Sequence, residues 1–362
     1  MKIWFRIHGF EPCSWTYVWE NLRNAFDARD DVELYGLTPP MDGEDCIELW
    51  WGDPQFWSWS DMDVEHRVAL VLSEARSILA SGRERAIQNV AKADLVICPS
   101  RAATVAFEES PVDSPIVVAP FGVDSAEFSY TERDWVRKPF TFLHAGVTQF
   151  RKGSWMVPEA FIKAFGERDD VRLMVASPRS SPMFTRLNSE YGRHPQMDFV
   201  TDLKDSSYEL YKQAHVYISP HLSEGFGLMI PEAMSTGMPC IVSRCSAPRE
   251  FFSPDYGWWV EMSENYAPVT PCLPDTAGLW RLPSLESLAN TMRLAYENRD
   301  ECESIGKAAS EYVAESLSWE LTAQKICRHI KEILLEGNIS NTPSIQRRET
   351  SAALSQEYRA IL

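Results

Sequence analysis

The sequence predicts a two-domain α/β protein in which each domain is a parallel sheet covered by helices. Three observations predict it. At 362 residues the chain exceeds the usual size of a single core. Short, continuously apolar runs alternate with helical patterns, as strands buried on both faces require. That alternation happens twice, interrupted by a polar, aperiodic stretch, FGVDSAEFSYTERDWVRKP, over about 121–139. The expected domains are 1–128 and 139–318, with 319–362 packing back on the first. Two such domains suggest a ligand cleft between them, and in each open sheet the residues just after the strands are the ones to examine.

In the first domain, KIWFRI (2–7) is a strand, followed by a glycine-bearing turn at His8-Gly9 and a helix over 14–26. VELYG, CIELWWG, RVALVL, ADLVICPS and PIVVAP are further strands, and an Ala- and Arg-rich helix fills about 75–92. The alternation restarts with FTFLHAG, a helix over 154–165, VRLMVAS, MDFVTD, a helix near 205–214, HVYISP, a helix near 228–236, and PCIVS. Beyond Trp258-Trp259 the pattern weakens into a proline-rich loop. Helices resume over 284–298, 300–315 and 319–335, and the tail begins polar.

Composition narrows the function. Hydrophobic residues at 44% and charged ones at 24% are those of a soluble globular protein. No apolar run approaches the roughly 18 residues of a membrane span. The start, MKIWFRIHGFEPCSW, has no continuous apolar h-region and reads as a first strand. A formal charge of −17 argues against a broad basic face for nucleic acid or anionic lipid. The eight cysteines include no CxxC pair, and Cys98, Cys240 and Cys245 sit in or beside apolar runs. Reduced, buried thiols in a cytoplasmic protein are expected. The seven histidines form no HExxH, so no metal site is expected.

Three post-strand loops carry the chemistry. Gly9 either lets backbone approach a ligand or makes an ordinary turn. In HAGVTQFRKGSW, Gly146 ends a strand and Arg151-Lys152 follow. Adjacent cations at a sheet edge suit a diphosphate, though alone they also read as a solvated basic turn. In HLSEGFGLMIPEAMSTGMP, Glu224 precedes a glycine turn and Glu232 lies one turn inside a helix. Amides at a helix start attract phosphate. Glu224 would be a poor phosphate neighbour and should face hydroxyls. Glu232 either accepts ribose hydroxyls or simply complements the helix dipole.

Taken together, a glutamate, seven residues and a second glutamate, enclosing GFG and followed by AMSTGMP, resemble the retaining nucleotide-sugar glycosyltransferases of the GT-B fold. This is the large bacterial family 4, or group 1, that includes mannosyltransferases and glycogen-synthase relatives. ADLVICPS, APFGVDSAEF, FLHAGVTQFRKG, AHVYISPHLSEGFGLMIPEAMSTGMP and LSWELTAQKI look like its successive landmarks, in order, over about 90–335. The resemblance implies two Rossmann-like domains facing across a cleft, with a C-terminal helix returning to the first domain. It implies transfer of a sugar from a nucleoside diphosphate sugar to a hydroxyl, with no metal or other cofactor. Arg151 and Lys152 would hold the diphosphate, and Glu224 the sugar. The amides of Gly225, Phe226, Gly227 and Leu228 would lie near sugar or phosphate, Glu232 would bind the ribose, and Gly9 and Gly146 would face the phosphates. Thr201 and Leu203 would flank the base. Glu74 would lie on the acceptor side.

There are departures from the family's pattern. Val147 stands where many members carry arginine, His221 where serine is usual, and Phe121 where asparagine is usual. They leave sugar and acceptor identity open. The acceptor is expected to be a saccharide or glycan. Trp50, Trp51, Trp57 and Trp59 either stack on a sugar or base or fill the core. A hydroxylated nucleobase of DNA is an alternative acceptor that the net charge disfavours. A non-catalytic nucleotide-sugar-binding subunit is an alternative of another class.

Overall fold

A computed structural model describes residues 1–8, 14–36, 38–41, 45–74, 83–201, 207–268 and 279–337. Gly9, Leu203, the first part (75–82) of the helix expected over 75–92 and the tail beyond 337 lie outside the described residues. The described residues form two compact units. One holds 1–122 and 317–337; the other holds Val123–Ala267 and Trp280–Ser316.

The first unit is built on strands β1 (Lys2–Ile7), β2 (Glu33–Tyr35), β3 (Ile47–Trp51), β4 (His66–Leu70), β5 (Leu95–Cys98) and β6 (Ile116–Val118). They form one sheet in the order β2-β1-β3-β4-β5-β6, every pair parallel. Ile3, Phe5, Leu49, Val68 and Leu95 have no exposed surface, each burial contributing about 1.5–3 kcal/mol. Helix α1 (Ser14–Asp27) buries Val18, Trp19, Leu22, Ala25 and Phe26, the 3–4 spacing of one helix face. Helix α2 (Glu84–Val90) is seven residues long. Helix α3 (Arg101–Glu108) starts where Ser100 Oγ accepts the Ala103 amide at 3.0 Å.

Three of the tryptophans in LWWGDPQFWSW are core. Trp51 and Trp57 are each 1% exposed and Trp50 is 5% exposed. Trp51 donates its indole N–H to Trp15 O at 2.7 Å, and Trp57 stacks on Trp50 at 5.7 Å. Rings enclosed on both faces have none to offer a ligand, which removes Trp51 and Trp57 from the acceptor candidates. The sequence also gave no hint that Glu48, inside β3, is completely buried. Arg6 pairs with it, Ser60 donates from N (3.1 Å) and Oγ (2.9 Å), and Trp50 donates from Nε1 (3.2 Å). The guanidinium of Arg6 lies 4.3 Å from the Trp4 ring and 4.2 Å from that of Trp50. Removing any one of these partners would leave part of a buried charge uncompensated.

The second unit carries β7 (Phe140–Ala145), β8 (Val171–Ala176), β9 (Met197–Val200), β10 (Val216–Ser219), β11 (Cys240–Ser243) and β12 (Gly257–Val260). Their order is β12-β11-β10-β7-β8-β9, again all parallel. Between them lie α4 (Val157–Phe165), α5 (Pro182–Tyr191), α6 (Ser207–Gln213) and α7 (Met229–Ser235). A small pair of strands, β13 (Met262–Pro268) and β14 (Leu279–Pro283), precedes α8 (Leu285–Glu297) and α9 (Cys302–Ser316). This pair lies at the two ends of the stretch expected to be a loop, and β12, just before it, was not among the expected strands. β12 begins at Gly257, where a Cβ would meet Cys240 O at 2.0 Å. A strand opened by glycine for a close backbone approach carries little strand signal.

The first unit ends at Gly122 rather than at 128, because the polar connector belongs to the second unit. Phe128 is 2% exposed and packs on Tyr211. Arg133 spans four backbone carbonyls, those of Thr131, Tyr211, Ala214 and Thr236. The last helix, α10 (Trp319–Ile330), packs in the first unit. Trp319 meets Tyr17 and Phe121, and Thr322 donates to Pro120 O at 2.7 Å. No helix among the described residues is long and apolar enough to cross a membrane.

Candidate active site

Strand order reverses in the second sheet between β7 and β10. β8 and β9 extend one side of β7, and the chain then returns to place β10 on the other. Such a reversal opens a crevice at the carboxyl ends of the strands. The loops leaving β7 and β10 carry Arg151-Lys152 and Glu224.

The β7 loop is held in place by the protein's own side chains. The Thr148 amide donates to Ser177 Oγ at 3.0 Å, and Ser181 Oγ donates to Thr148 O at 2.8 Å. His144 bridges Ile218 O (2.9 Å) and Ser154 Oγ (2.8 Å). A carbonyl only accepts, so Nδ1 carries the proton and the Ser154 hydroxyl donates to Nε2. Burial lowers the pKa of His144 to about 4, which keeps it neutral. Gly153 is left-handed (φ 65°), and a Cβ there would sit 1.9 Å from Pro220 O. The two loops therefore touch through backbone, and the Leu222 amide donates to Arg151 O at 2.7 Å.

At that contact the three charged residues converge. Arg151 Nη1 lies 3.0 Å from Glu224 Oε2 and donates to Ser223 O at 2.6 Å; Lys152 Nζ donates to Glu224 Oε1 at 3.1 Å. Burial pushes the Glu224 carboxyl up, but Arg151 and then Lys152 outweigh it and hold the group well below the usual carboxylate range. Two cations against one carboxylate leave a positive surplus in a largely buried crevice.

Glu224 is fixed from its backbone as well. Its amide donates to Ser246 Oγ at 2.9 Å, and its carbonyl accepts from the Ala247 amide at 3.3 Å. Ser246 has φ 49° and ψ −150°. It is the one non-glycine residue with positive φ among the described residues, a conformation costing about 1–3 kcal/mol. Positive φ at a serine leaves no trace in sequence, so Ser246 escaped notice. His221, fully buried, has its pKa lowered to about 4, first by burial. Its Nδ1 lies 3.1 Å from Ser219 O and its Nε2 3.4 Å from Cys245 O, so a proton on either nitrogen meets a carbonyl, and the ring ties the β10 loop to the Ser246 loop.

Gly225 to Leu228 run from Glu224 into α7, with Gly227 at φ 88° and Phe226 packed on Phe251. Glu232 lies in the first turn of α7 and is 6% exposed. Burial raises its pKa to about 7, against the Tyr211 hydroxyl, which donates to Oε2 at 3.1 Å. Tyr211 comes from α6, a partner that spacing along the chain could not announce. Gly146 has φ 112°, and the space a Cβ would fill is taken by Met229 Sδ at 2.6 Å. Thr201 follows β9 at the edge of the sheet, 3.4 Å from Arg179 Nη2. Glu74 follows β4 in the first unit and is half-buried. Cys98, Cys240 and Cys245 are buried, and burial pushes the Cys245 thiol up to about 12.

Residues 139–267 match the family described as glycosyl transferases group 1. The matched domain is about a third of the chain, and the chain has a GT-B fold. That domain contains every element of the crevice between β7 and β10. A sucrose synthase of Melioribacter roseus is 22% identical over 211 residues, 57% of this chain and 23% of that protein. The chain thus spans less than a quarter of that relative's length. Among solved structures, sucrose-phosphate synthase from Thermosynechococcus elongatus is similar at a TM-score of 0.66, with 16% identity, over 92% of this chain and 99% of that one. Anabaena HepE, solved with UDP and glucose, gives 0.65, with 15% identity, over 91% and 98%. These likenesses show the GT-B fold.

Proposed function

We propose that the protein is a retaining glycosyltransferase that moves a sugar from a nucleoside diphosphate sugar to an acceptor hydroxyl on a saccharide or glycan, in the cytoplasm and without a metal ion. The observation that carries this is the convergence of Arg151, Lys152 and Glu224 where the second sheet reverses its strand order.

Glu224 pairs with both cations. A diphosphate brings more charge and more acceptor oxygens, so it takes Arg151 and Lys152 and releases Glu224 toward the sugar hydroxyls. Arg151 and Lys152 then stabilise the charge that grows on the departing nucleotide, the part a divalent ion plays in other transferases. Glu232 accepts the ribose hydroxyls. The nucleotide leaves and the acceptor attacks on the same face, with the diphosphate taking the acceptor proton and the anomeric configuration retained. HepE with UDP and glucose supports the donor class by analogy.

The test is a thermal-shift panel of nucleotide sugars, followed by nucleotide release with mixed saccharide acceptors in excess EDTA, the product's anomeric configuration being read by NMR. Stabilisation by one nucleotide family and chelator-resistant release support the reading. Complete, metal-reversible loss of activity or an inverted product contradicts it.

A further inference from the structure

The first sheet also reverses its strand order, between β1 and β3. His8 is the first residue after β1, and residues 52–57 follow β3. There, alone among the phenylalanines of the described residues, Phe56 is exposed, with 55% of its surface in solvent. The exposed imidazole of His8 stacks on it, centroids 5.2 Å apart and planes 15° from parallel.

This exposure is built in. The Pro54–Phe56 turn is capped by Asp53, whose Oδ1 accepts the Gln55 amide at 3.0 Å. The Phe56 amide donates to Asp53 O at 3.1 Å and the Trp57 amide to Pro54 O at 3.4 Å. Buried Asn89 clamps the turn from α2, donating to Pro54 O (2.8 Å) and Trp57 O (3.0 Å). Trp57 fills the core, and its neighbour Phe56 is thereby held outward. An apolar ring kept in water by a rigid turn forgoes burial that a looser loop would recover. The same turn carries a charged rim, the Asp53–Arg83 ion pair, with side chains 31% and 41% exposed.

A flat apolar face beside hydrogen-bonding groups matches a pyranoside, which has one face of C–H bonds and a rim of hydroxyls. A lipid chain would need a groove, and the charge of −17 disfavours a nucleic-acid strand. We propose that Phe56, backed by His8, is the platform on which the acceptor's sugar ring lies, with Asp53 and Arg83 reading its hydroxyls; the acceptor is therefore a pyranoside-bearing saccharide. The assignment to the acceptor rests on the transferase reading above; the platform itself does not.

The test is saturation-transfer NMR on the full chain with UDP present. The probes are the methyl glycosides of α- and β-glucopyranose, α-mannopyranose and β-galactopyranose. Wild type should transfer saturation to the ring protons of at least one. Phe56→Ala should cut that transfer about fivefold or more, Phe56→Trp should keep it, and Tyr130→Ala, at an exposed ring of the second unit, should not change it. UDP affinity by calorimetry should be the same in all four proteins. No transfer to any glycoside in the wild type, or equal transfer in Phe56→Ala, overturns the proposal. Phe56-dependent transfer in a protein that binds no nucleoside diphosphate would sink the donor reading and leave the platform standing.

Discussion

The two sheets share a plan and differ in chemistry at the same topological place. Each is six parallel strands with one reversal of order. In the second sheet the reversal gathers Arg151, Lys152 and Glu224, braced by neutral histidines and a serine held at positive φ. In the first it presents aromatic rings, with Phe56 and His8 exposed and Trp50, Trp51 and Trp57 buried. Strand topology creates the crevice, and the loop residues decide what enters it. A charged, pre-set crevice suits a substrate whose charge grows during reaction; a flat apolar face suits one that only needs to be placed.

The comparison can be broken most forcefully at the first reversal. Trp57→Ala should destabilise the protein by about 3–5 kcal/mol, because it empties a core site. Phe56→Ala, one residue away, should cost less than about 0.5 kcal/mol. Denaturant midpoints measure both, and equal losses would mean that exposure does not separate the two rings.

The next effect belongs to Glu232. Its pKa is raised to about 7 by burial, so the fold favours its protonated form. That preference is fully present below the ordinary value of about 4.5 and is lost as pH rises through about 7. Relative to Glu232→Gln, the wild type should therefore lose up to about 3 kcal/mol between those limits. Melting temperatures of the two proteins from pH 4 to 8 test it. A constant difference would place the carboxyl in a wetter setting than the structure shows.

Arg151→Ala and Lys152→Ala should each lower turnover at least about tenfold, since charge on the departing diphosphate develops in the transition state. Steady-state kinetics read this, and near-normal turnover in both would remove the diphosphate assignment. Glu224→Gln sharpens the picture further. It should cut turnover by about tenfold, yet bind free nucleoside diphosphate a few-fold more tightly, because the cations are no longer occupied. Calorimetry showing weaker nucleotide binding would mean that Glu224 organises the cations rather than competing for them.

Much of this site was legible along the chain. Arg151-Lys152 and Glu224 stood out because post-strand loops are where open sheets bind ligands, and strand periodicity is a local property. Glu232 stood out through its spacing, but its shifted acidity could not, because Tyr211 and the surrounding burial come from elsewhere in the sequence. The tryptophans of LWWGDPQFWSW read equally well as platform or core, since β-strand burial on both faces removes the alternation that would tell them apart. Phe56 passed unnoticed in their company.

By itself, the sequence determined the two-fold alternation of strands and helices, the charge pair after β7 and the Glu224–Glu232 frame after β10, because period and spacing are written in consecutive residues. Only the tertiary structure decided that Glu224 pairs with both cations, that Ser246 is strained to hold it, that Glu48 is buried, and that Phe56 faces water while its neighbour Trp57 fills the core. Those outcomes depend on what residues distant in sequence do to solvent access and electric field, and a one-dimensional pattern does not carry that information.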